Sequence, residues 1–436
     1  MHTLLLVAGR SRRFWPLAEK SLVPLLGKTL LEHQIGRLRE GGCRDITLVM
    51  GDHNGHNMKK LFPGLPQIRQ KDLELGMQGA LLSALPKIKD PVMIVSGNDV
   101  IEPEAYRALR EAAAQKGVDG AILARKVKRY FPGGYLTVRG GKATGIVEKP
   151  GEGNEPSKLV NIVAHVHNDP KALLAELKKS DHSKDDGYER ALAELFKTKR
   201  YVVVPYEGAW QAVKYPWHLL PLLEMLLRTI EKPSIAKTAK IHPSATIEGN
   251  VIIDEGAKIF ANASVIGPSY IGKNAIIGNG ALVRWSSIGE NCIVGFATEV
   301  KGSLLTKDVW THMTYLGDSI VGENVSFGGG TVVGNLRLDE GEITSKHGDT
   351  LIPTGLTKLG LMVGHDCRIG IRVGSNPGVK IGSGSFIAGG TYVKEDVPEK
   401  SFVCMKGGDA HVRENKMTVP GIDERKAFRA KAERKS

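Results

Sequence analysis

An apolar run at residues 4–8 opens into Gly9-Arg10-Ser11-Arg12-Arg13, and Lys20 comes a little further on. A strand that runs into a loop of small residues presents consecutive backbone N–H groups, which suit phosphate oxygens. Arg13 and Lys20 add positive charge beside that loop, so the pattern suits the handling of a polyphosphate. A second candidate is His312, within Thr311-His312-Met313-Thr314-Tyr315-Leu316-Gly317-Asp318, with Gly328-Gly329-Gly330 and Asn335 after it. Histidine takes up and releases a proton near neutral pH and therefore suits a general base. A lone histidine in a loop is more often a surface residue; the neighbouring string and glycine run give this one its interest.

Both candidates need rigid supports. From residue 1 to 232, strand-like apolar runs at 4–8, 46–50 and 91–96 alternate with helix-like stretches at 29–40 and 79–85. That alternation predicts a mostly parallel sheet flanked by helices. After Lys232-Pro233 the pattern changes. Ile241, Ile247, Ile253, Ile259, Val265, Ile271, Ile277 and Val283 recur every six residues, and Ile288, Val294 and Val300 continue one residue out of phase. A second run holds Val363, Ile369, Ser375, Ile381, Ile387 and Val393. A six-residue period fits neither a helix nor an alternating strand. It fits a hexapeptide solenoid, with three hexapeptides per coil of about 18 residues. The branched residue points inward, and the small residue that often comes next, as at Gly272 and Gly289, lets the chain turn the corner. Residues 301–361 break the phase, and an interrupted solenoid often carries its function there. The expected division is 1–232, an α/β domain; 233–404, the solenoid; and 405–436, a basic polar tail read as a short helix or a frayed end.

Composition narrows the partners. The chain is 41% hydrophobic and 25% charged, with a net charge of +13. It has no nucleic-acid-binding signature, so anionic small molecules account for the charge better than nucleic acid does. No apolar span approaches the roughly 18 residues that would cross a membrane, and the N-terminal apolar run is too short for a signal peptide. The expected location is the cytoplasm, without membrane contact. Cys43, Cys292, Cys367 and Cys404 are widely scattered and read as small buried hydrophobes rather than metal ligands or disulfides.

The string at residues 4–33 resembles the signature of the sugar nucleotidylyltransferases. Gly9, Arg13, Phe14, Pro16, Leu17, Lys20, Leu22, Pro24, Gly27 and Lys28 fall on matching positions. Ser11, Arg12 and Glu19 stand where the family has glycine, threonine and proline. The resemblance implies that Ala8, Gly9, Arg10 and Ser11 cradle the nucleotide and that Arg13 and Lys20 are catalytic cations. It implies a base-recognition segment at Gln78 and Gly79, and Mg²⁺ held by Asp99 at the end of Ser96-Gly97-Asn98-Asp99. It places Gly134, Glu148, Lys149 and Asn161 against the sugar phosphate. A second metal-binding carboxylate, usual in the family after a tryptophan, is replaced here by Ala212.

Residues 301–335 resemble the acetyltransferase half of the bifunctional N-acetylglucosamine-1-phosphate uridylyltransferase and glucosamine-1-phosphate acetyltransferase family, in its archaeal-type branch. Together the two resemblances span residues 4 to about 403. They imply a Rossmann-like α/β nucleotidyltransferase domain followed by a left-handed parallel β-helix. The β-helix would form a homotrimer with acetyl-transfer sites between neighbours. His312 would be the base, and Tyr315 and Asn335 would orient the sugar phosphate. Gly341 and Thr344 occupy positions where the family often has lysines for coenzyme A or phosphate; Arg337 and Lys346 are the candidate stand-ins. The expected function is acetyl transfer from acetyl-CoA to glucosamine 1-phosphate, then uridylyl transfer from UTP to give UDP-N-acetylglucosamine. Two alternatives stay open. One is a monofunctional nucleotidylyltransferase for glucose or mannose 1-phosphate with a structural solenoid. The other is a weakened regulatory or scaffold subunit, which Ala212 favours.

Overall fold

A computed structural model describes residues 1–180, 186–416, 421–423 and 426. The chain forms two compact units, residues 1–10 with 31–212 and residues 11–30 with 213–436. This differs from a cut after Lys232. Residues 11–30 group with the solenoid because they bond to it: the Leu26 amide donates to Ser287 Oγ (3.2 Å), and Ser383 Oγ donates to the Pro16 carbonyl (3.4 Å).

The first unit is a nine-stranded mixed sheet with helices. Its strand order is Gln67–Arg69, Ile46–Met50, His2–Leu6, Val92–Ser96, Leu159–His167, Gly120–Lys126, Tyr201–Pro205, Lys142–Glu148 and Gly134–Arg139. The first four strands are mutually parallel. Ile46–Met50 and Val92–Ser96 are buried at every residue, which is why they read as unbroken apolar runs rather than alternating ones. Leu159–His167 runs antiparallel to both of its neighbours at the centre. Helices start at recognisable signals. Asp169 accepts bonds from the Lys171 and Ala172 amides at the head of Pro170–Lys179, and Pro103 opens Pro103–Ala113.

The second unit is a parallel β-helix. Three sheets of eight, ten and eight strands run along its length. One face stacks Ile253, Ile271, Ile288, Leu305, Val321, Val363 and Ile381 in register, all 1% exposed or less. Burying each such side chain contributes about 1.5–3 kcal/mol, so the ladder is the main stabiliser of the coil. Coils are not uniform: Ile253 pairs with Ile271, Ile271 with Ile288, and Leu305 with Val321, so a coil holds 18, 17 or 16 residues. This corrects the expected break at 301–361. Strands continue through Val332–Val333, and the departure is confined to residues 334–361, which carry the hairpin Thr344–His347 and Thr350–Pro353.

The role of the glycines is also different from the expected one. Gly272 does not turn a corner: a Cβ there would lie 2.8 Å from backbone atoms of Ile288 and Gly289 on the next coil. Coil stacking requires it. The left-handed corner conformations fall instead on residues such as Asn274, Asn291 and Met313. Of the tail, Ser401–Lys406 and Asp409–Glu414 form an antiparallel hairpin, so its first part is strand; most of the chain beyond Lys416 lies outside the described residues. Cys43, Cys292 and Cys367 are buried and Cys404 is half-buried, all four free.

Candidate active sites

In the first unit, the loops after His2–Leu6 and Val92–Ser96 leave the sheet side by side, where ligands of open α/β sheets bind. The Gly97 amide donates to the Leu6 carbonyl (2.9 Å). Ala8 is buried, whereas Gly9 and Arg10 are exposed, with Arg10 ion-paired to Glu74. Asp99 begins the short strand Asp99–Ile101, which pairs antiparallel with Trp210–Ala212. Ala212 lies directly opposite Asp99. The residue that the family would use as a second carboxylate is thus in the expected place and is a buried methyl group. The Trp210 indole N–H donates to Asp99 Oδ1 (2.8 Å) and fixes the carboxylate. Mg²⁺ commonly binds through one or two carboxylates, with water and substrate phosphate completing its shell. A single anchored aspartate fits that demand. Among the described residues, no group of three or more His, Cys, Asp or Glu side chains could hold an ion by themselves.

Three of the residues expected on the sugar side converge. Gly134 pairs with Glu148 across adjacent strands. A Cβ at Gly134 would lie 3.2 Å from Glu148 Oε2 and 3.4 Å from Asn161 Nδ2, so the absent side chain leaves these two groups facing one space. Lys149 holds a left-handed backbone conformation, and its Nζ lies 3.0 Å from Glu148 Oε1.

Behind Asn161 stands a buried chain of hydrogen bonds that the sequence did not suggest. Asn161 Oδ1 can only accept, so His165 Nε2 donates to it. His165 Nδ1 then accepts from the Tyr188 hydroxyl (2.7 Å), which accepts from His167 Nε2 (3.0 Å), and His167 Nδ1 accepts from the Tyr201 hydroxyl (2.8 Å). Every proton in the chain has one direction, and the chain ends by turning the Asn161 NH₂ toward Gly134 and Glu148. Burial pushes His165 well below the usual histidine range, with the neighbouring His167 adding to the shift, and pushes His167 down to about 3. Both rings are neutral, as the bonding requires.

This buried relay has two measurable consequences. Tyr188→Phe removes the donor to His165 and the acceptor for His167. We expect a 3- to 10-fold rise in KM for the sugar phosphate, from a loss of about 1 kcal/mol of orientation, with acetyl transfer unchanged. A lowered melting temperature with unaltered KM would make the relay structural only. The second consequence concerns pH. In the unfolded chain both histidines bind protons below about pH 6.5, but the folded unit keeps them neutral until far lower. The unfolded state therefore takes up more protons, and stability falls as pH drops from 6.5 toward 3, by up to about 1.4 kcal/mol per pH unit for each ring. Thermal melts between pH 7 and 5 should show this slope, reduced in His167→Gln. An identical slope in that variant would remove His167 from the account.

Gln78 and Gly79 differ from expectation. Gln78 is 2% exposed, and its amide donates to the carbonyls of Leu177 (2.8 Å) and Ser180 (3.4 Å). It ties the helix Gly76–Ala84 to Pro170–Lys179. Gly79 packs against the Asp72 carbonyl and the Gln70 side chain, which leave no room for a Cβ. Helix packing explains both residues.

The rest of the signature belongs to the second unit. Ser11 takes a left-handed conformation, its Oγ donates to Glu19 (3.3 Å), and the Lys20 amide donates back to it (3.4 Å). Glu19 also accepts from the Ser21 amide (3.2 Å). The substitutions Ser11 and Glu19 thus serve each other, closing the turn before Lys20. The Arg13 guanidinium lies over the Tyr215 ring, 5.7 Å from its centroid.

His312 is exposed at a corner of the β-helix. A Cβ at Gly295 would lie 3.4 Å from its Nδ1, and one at Gly329 would lie 3.6 Å from its Cδ2, so the ring occupies space left by two glycines. Its amide and carbonyl are both bonded to Thr314 Oγ1, at 3.3 and 3.0 Å. Thr311, one residue earlier, replaces the branched apolar residue of the ladder: it pairs with Val294, is buried, and its Oγ1 donates to the Ile293 carbonyl (3.2 Å).

Asn335 Nδ2 donates to Asp318 Oδ2 (2.6 Å) and to the Tyr315 hydroxyl (3.3 Å), so the structure brings the two expected orienting residues together. It adds two more. Lys301 Nζ pairs with Asp318 at 3.2 Å, and Lys301 stacks in register on Arg284 of the preceding coil. Arg284, Lys301, Asp318 and Lys358 line a cavity of about 420 Å³ beside the helix Leu219–Leu227. Arg337 pairs with Asp339, and Lys346 lines another cavity; the lysines that line the cavity with Asp318 are Lys301 and Lys358. Sequence spacing hid Arg284 and Lys301 because register, not a motif, aligns them.

Comparison with known proteins covers both halves of the chain. Residues 3–240 match the MobA-like NTP transferase domain family, and residues 229–338 match the GMPPB C-terminal domain. A relative named bifunctional sugar-1-phosphate nucleotidylyltransferase/acetyltransferase, from Sulfurisphaera tokodaii, is 31% identical over 91% of this chain and 98% of its own length. Relatives named bifunctional protein GlmU are similar at full length: that of Methanococcus vannielii is 30% identical and that of Methanococcus maripaludis 31% identical, each over 93% of this chain and 98% of their own. With relatives at 30–31% identity matched over 91–93% of its length, the chain belongs to the family of bifunctional sugar-1-phosphate nucleotidylyltransferase/acetyltransferases.

Proposed function

We propose that this protein acetylates glucosamine 1-phosphate with acetyl-CoA and then transfers uridylyl from UTP to the N-acetylated product, releasing pyrophosphate and UDP-N-acetylglucosamine. The observation that carries the reading is the Tyr315–Asp318–Asn335–Lys301 cluster, formed by the coil that bears His312 and the coils on either side of it. A solenoid serving only assembly has no need of it.

For acetyl transfer, Lys301 and Arg284 bind the sugar phosphate in the 420 Å³ cavity, with Tyr315 and Asn335 orienting the sugar. The imidazole of His312 takes the proton of the attacking amine, and a backbone N–H holds the thioester oxygen as it gains charge; the C–S bond then breaks, and coenzyme A leaves as its thiol with the proton His312 returns. Phe296, Met313 and Ile371 are more than half or about half exposed beside His312. Exposed apolar groups beside a site suit burial against another copy, consistent with a homotrimer whose neighbour completes the acetyl-CoA site.

For uridylyl transfer, a phosphate oxygen of the sugar 1-phosphate attacks the α-phosphate in line, and pyrophosphate leaves. The residues position and neutralise rather than bond covalently. Ala8, Gly9, Arg10 and Ser11 hold the nucleotide by backbone N–H groups. Arg13 and Lys20 offset the phosphate charge. Glu148 and Asn161 bind sugar hydroxyls beside Gly134, and Lys149 lies toward the sugar phosphate. Asp99 would hold Mg²⁺, which supplies charge neutralisation at the phosphates when bound.

Purified protein incubated with glucosamine 1-phosphate and acetyl-CoA, with free thiol monitored and UTP and Mg²⁺ added later, tests both halves. Thiol release and then UDP-N-acetylglucosamine is the expected course. Pyrophosphate formed from glucose 1-phosphate with no thiol release would instead identify a monofunctional nucleotidylyltransferase.

A further inference from the structure

Arg284-Trp285, Lys301-Gly302 and Asp318 line the 420 Å³ cavity from one corner of three successive coils. The next residue on each coil is a serine. Ser286, Ser303 and Ser319 are fully buried and stack in one column that begins at Ser269. Each hydroxyl makes two bonds. Ser286 Oγ donates to the Arg284 carbonyl (2.8 Å) and accepts from the Ser303 amide (3.1 Å). Ser303 Oγ donates to the Lys301 carbonyl (2.8 Å) and accepts from the Ser319 amide (3.0 Å). Ser319 Oγ donates to the Gly317 carbonyl (2.9 Å) and accepts from the Leu361 amide (3.2 Å). A hydroxyl has one hydrogen to give and lone pairs to accept with, so each serine ties the backbone behind the cavity to the next coil.

The coil itself does not require serine in this column. Val251 holds the position before Ser269, and Leu361 and Val379 hold it after Ser319, all three within the apolar core. A buried hydroxyl costs free energy unless it is bonded, and here it replaces an apolar group only on the coil of Ser269 and the three coils that bear the cavity residues. The corner also shortens on those three coils. Three residues separate Ile266 from the next strand position, Tyr270, but two separate Arg284 from Ser287, Lys301 from Leu304 and Gly317 from Ile320. Trp285, Gly302 and Asp318 make the tighter turn in left-handed conformations. A Cβ at Gly302 would lie 2.7 Å from Asp318 Oδ1, so the glycine leaves room for the carboxylate that pairs with Lys301. A threonine column repeats the device at the other end of the strand Tyr315–Gly317. Thr314, whose hydroxyl donates to the His312 carbonyl, gives its amide to Thr298 Oγ1 (3.2 Å), where the preceding coils have Ala281 and Ala263.

We propose that Ser286 and Ser303 are positioning residues for acetyl transfer: they fix the backbone behind Arg284 and Lys301 and so hold both cations in the register that grips the phosphate of the amino sugar. The proposal rests on the acetyl-transfer reading above and deepens it.

The test is calorimetric titration of the full chain with glucosamine 1-phosphate, together with the KM of each substrate in the thiol-release assay. Ser286→Ala and Ser303→Ala should each raise the dissociation constant and the KM for glucosamine 1-phosphate about five- to ten-fold, as expected when a group keeps its charge but loses its place. The KM for acetyl-CoA should stay at the wild-type value. Ser303→Cys keeps a weaker donor at the same point, as Cys367 does toward the His365 carbonyl at its own corner. It should fold where the alanine variant fails to, and should lose about two- to three-fold in affinity. Ser385→Ala controls for stability alone. Ser385 Oγ donates to the Pro398 carbonyl (2.8 Å) and accepts from the Ser401 amide (3.1 Å), the same pair of bonds at a corner that does not line the cavity. That variant should melt earlier and keep both KM values. Wild-type affinity in the Ser286 and Ser303 variants, or an equal loss in Ser385→Ala, would overturn the positioning role. A wild-type protein that binds no glucosamine 1-phosphate would instead remove the acetyl-transfer reading, and the positioning role with it.

Discussion

Replacing His312 with alanine is expected to lower thiol release from acetyl-CoA by at least about 100-fold, the usual contribution of a positioned general base, while pyrophosphate formation continues at the wild-type rate. The expectation comes from the ring's surroundings. It fills space left open by Gly295 and Gly329, and its backbone is tied on both sides to Thr314. Only the side chain is lost in the variant, so the coil should remain folded. His312→Asn separates polarity from basicity: it keeps a polar group of similar size but cannot take the proton, and it should be as slow as the alanine variant. Recovery of activity at high pH, where the amine loses its own proton, would support the base role. Equal loss of both activities would instead mean that the two sites are not separate.

Asp99→Asn is expected to lower uridylyl transfer by about 100- to 1000-fold, the range found when one group that stabilises transition-state charge is removed, and to leave acetyl transfer intact. Asparagine keeps an oxygen for the Trp210 indole N–H, so the anchor survives and only the negative charge goes. The size of the effect depends on Ala212. With a methyl group directly opposite Asp99, no second carboxylate takes over. The companion Ala212→Asp places one there and should lower the Mg²⁺ concentration needed for half-maximal rate. If Asp99→Asn keeps full activity at saturating Mg²⁺, Asp99 is a partner of Trp210 and not a metal ligand.

The sequence by itself determined the two kinds of fold, an α/β sheet and a coil of hexapeptides, and named candidate groups on each. Unbroken apolar runs such as 92–96 mark strands covered on both faces, and a six-residue period marks a coil with one inward residue per side. These are local rules, because each strand meets the core through its own side chain. The glycine loop, Asp99 and His312 could be picked out as candidates because each lies within a short string of chain neighbours, at 8–13, 96–99 and 311–318. What only the tertiary structure decided involves residues one coil or one sheet apart. Coils of 16, 17 and 18 residues decide which side chains stack, and so bring Arg284 over Lys301 and Asp318 to Asn335. The directed chain from Tyr201 to Asn161 needs two histidines on one strand and tyrosines from two other elements, a match that no spacing encodes. Residues 11–30 belong with the solenoid, and Lys346 faces Arg13's cavity rather than Asn335, because hydrogen bonds and stacking across hundreds of residues fix those positions. Period and motif record what a residue needs from its neighbours in the chain; packing decides which distant residue supplies the rest.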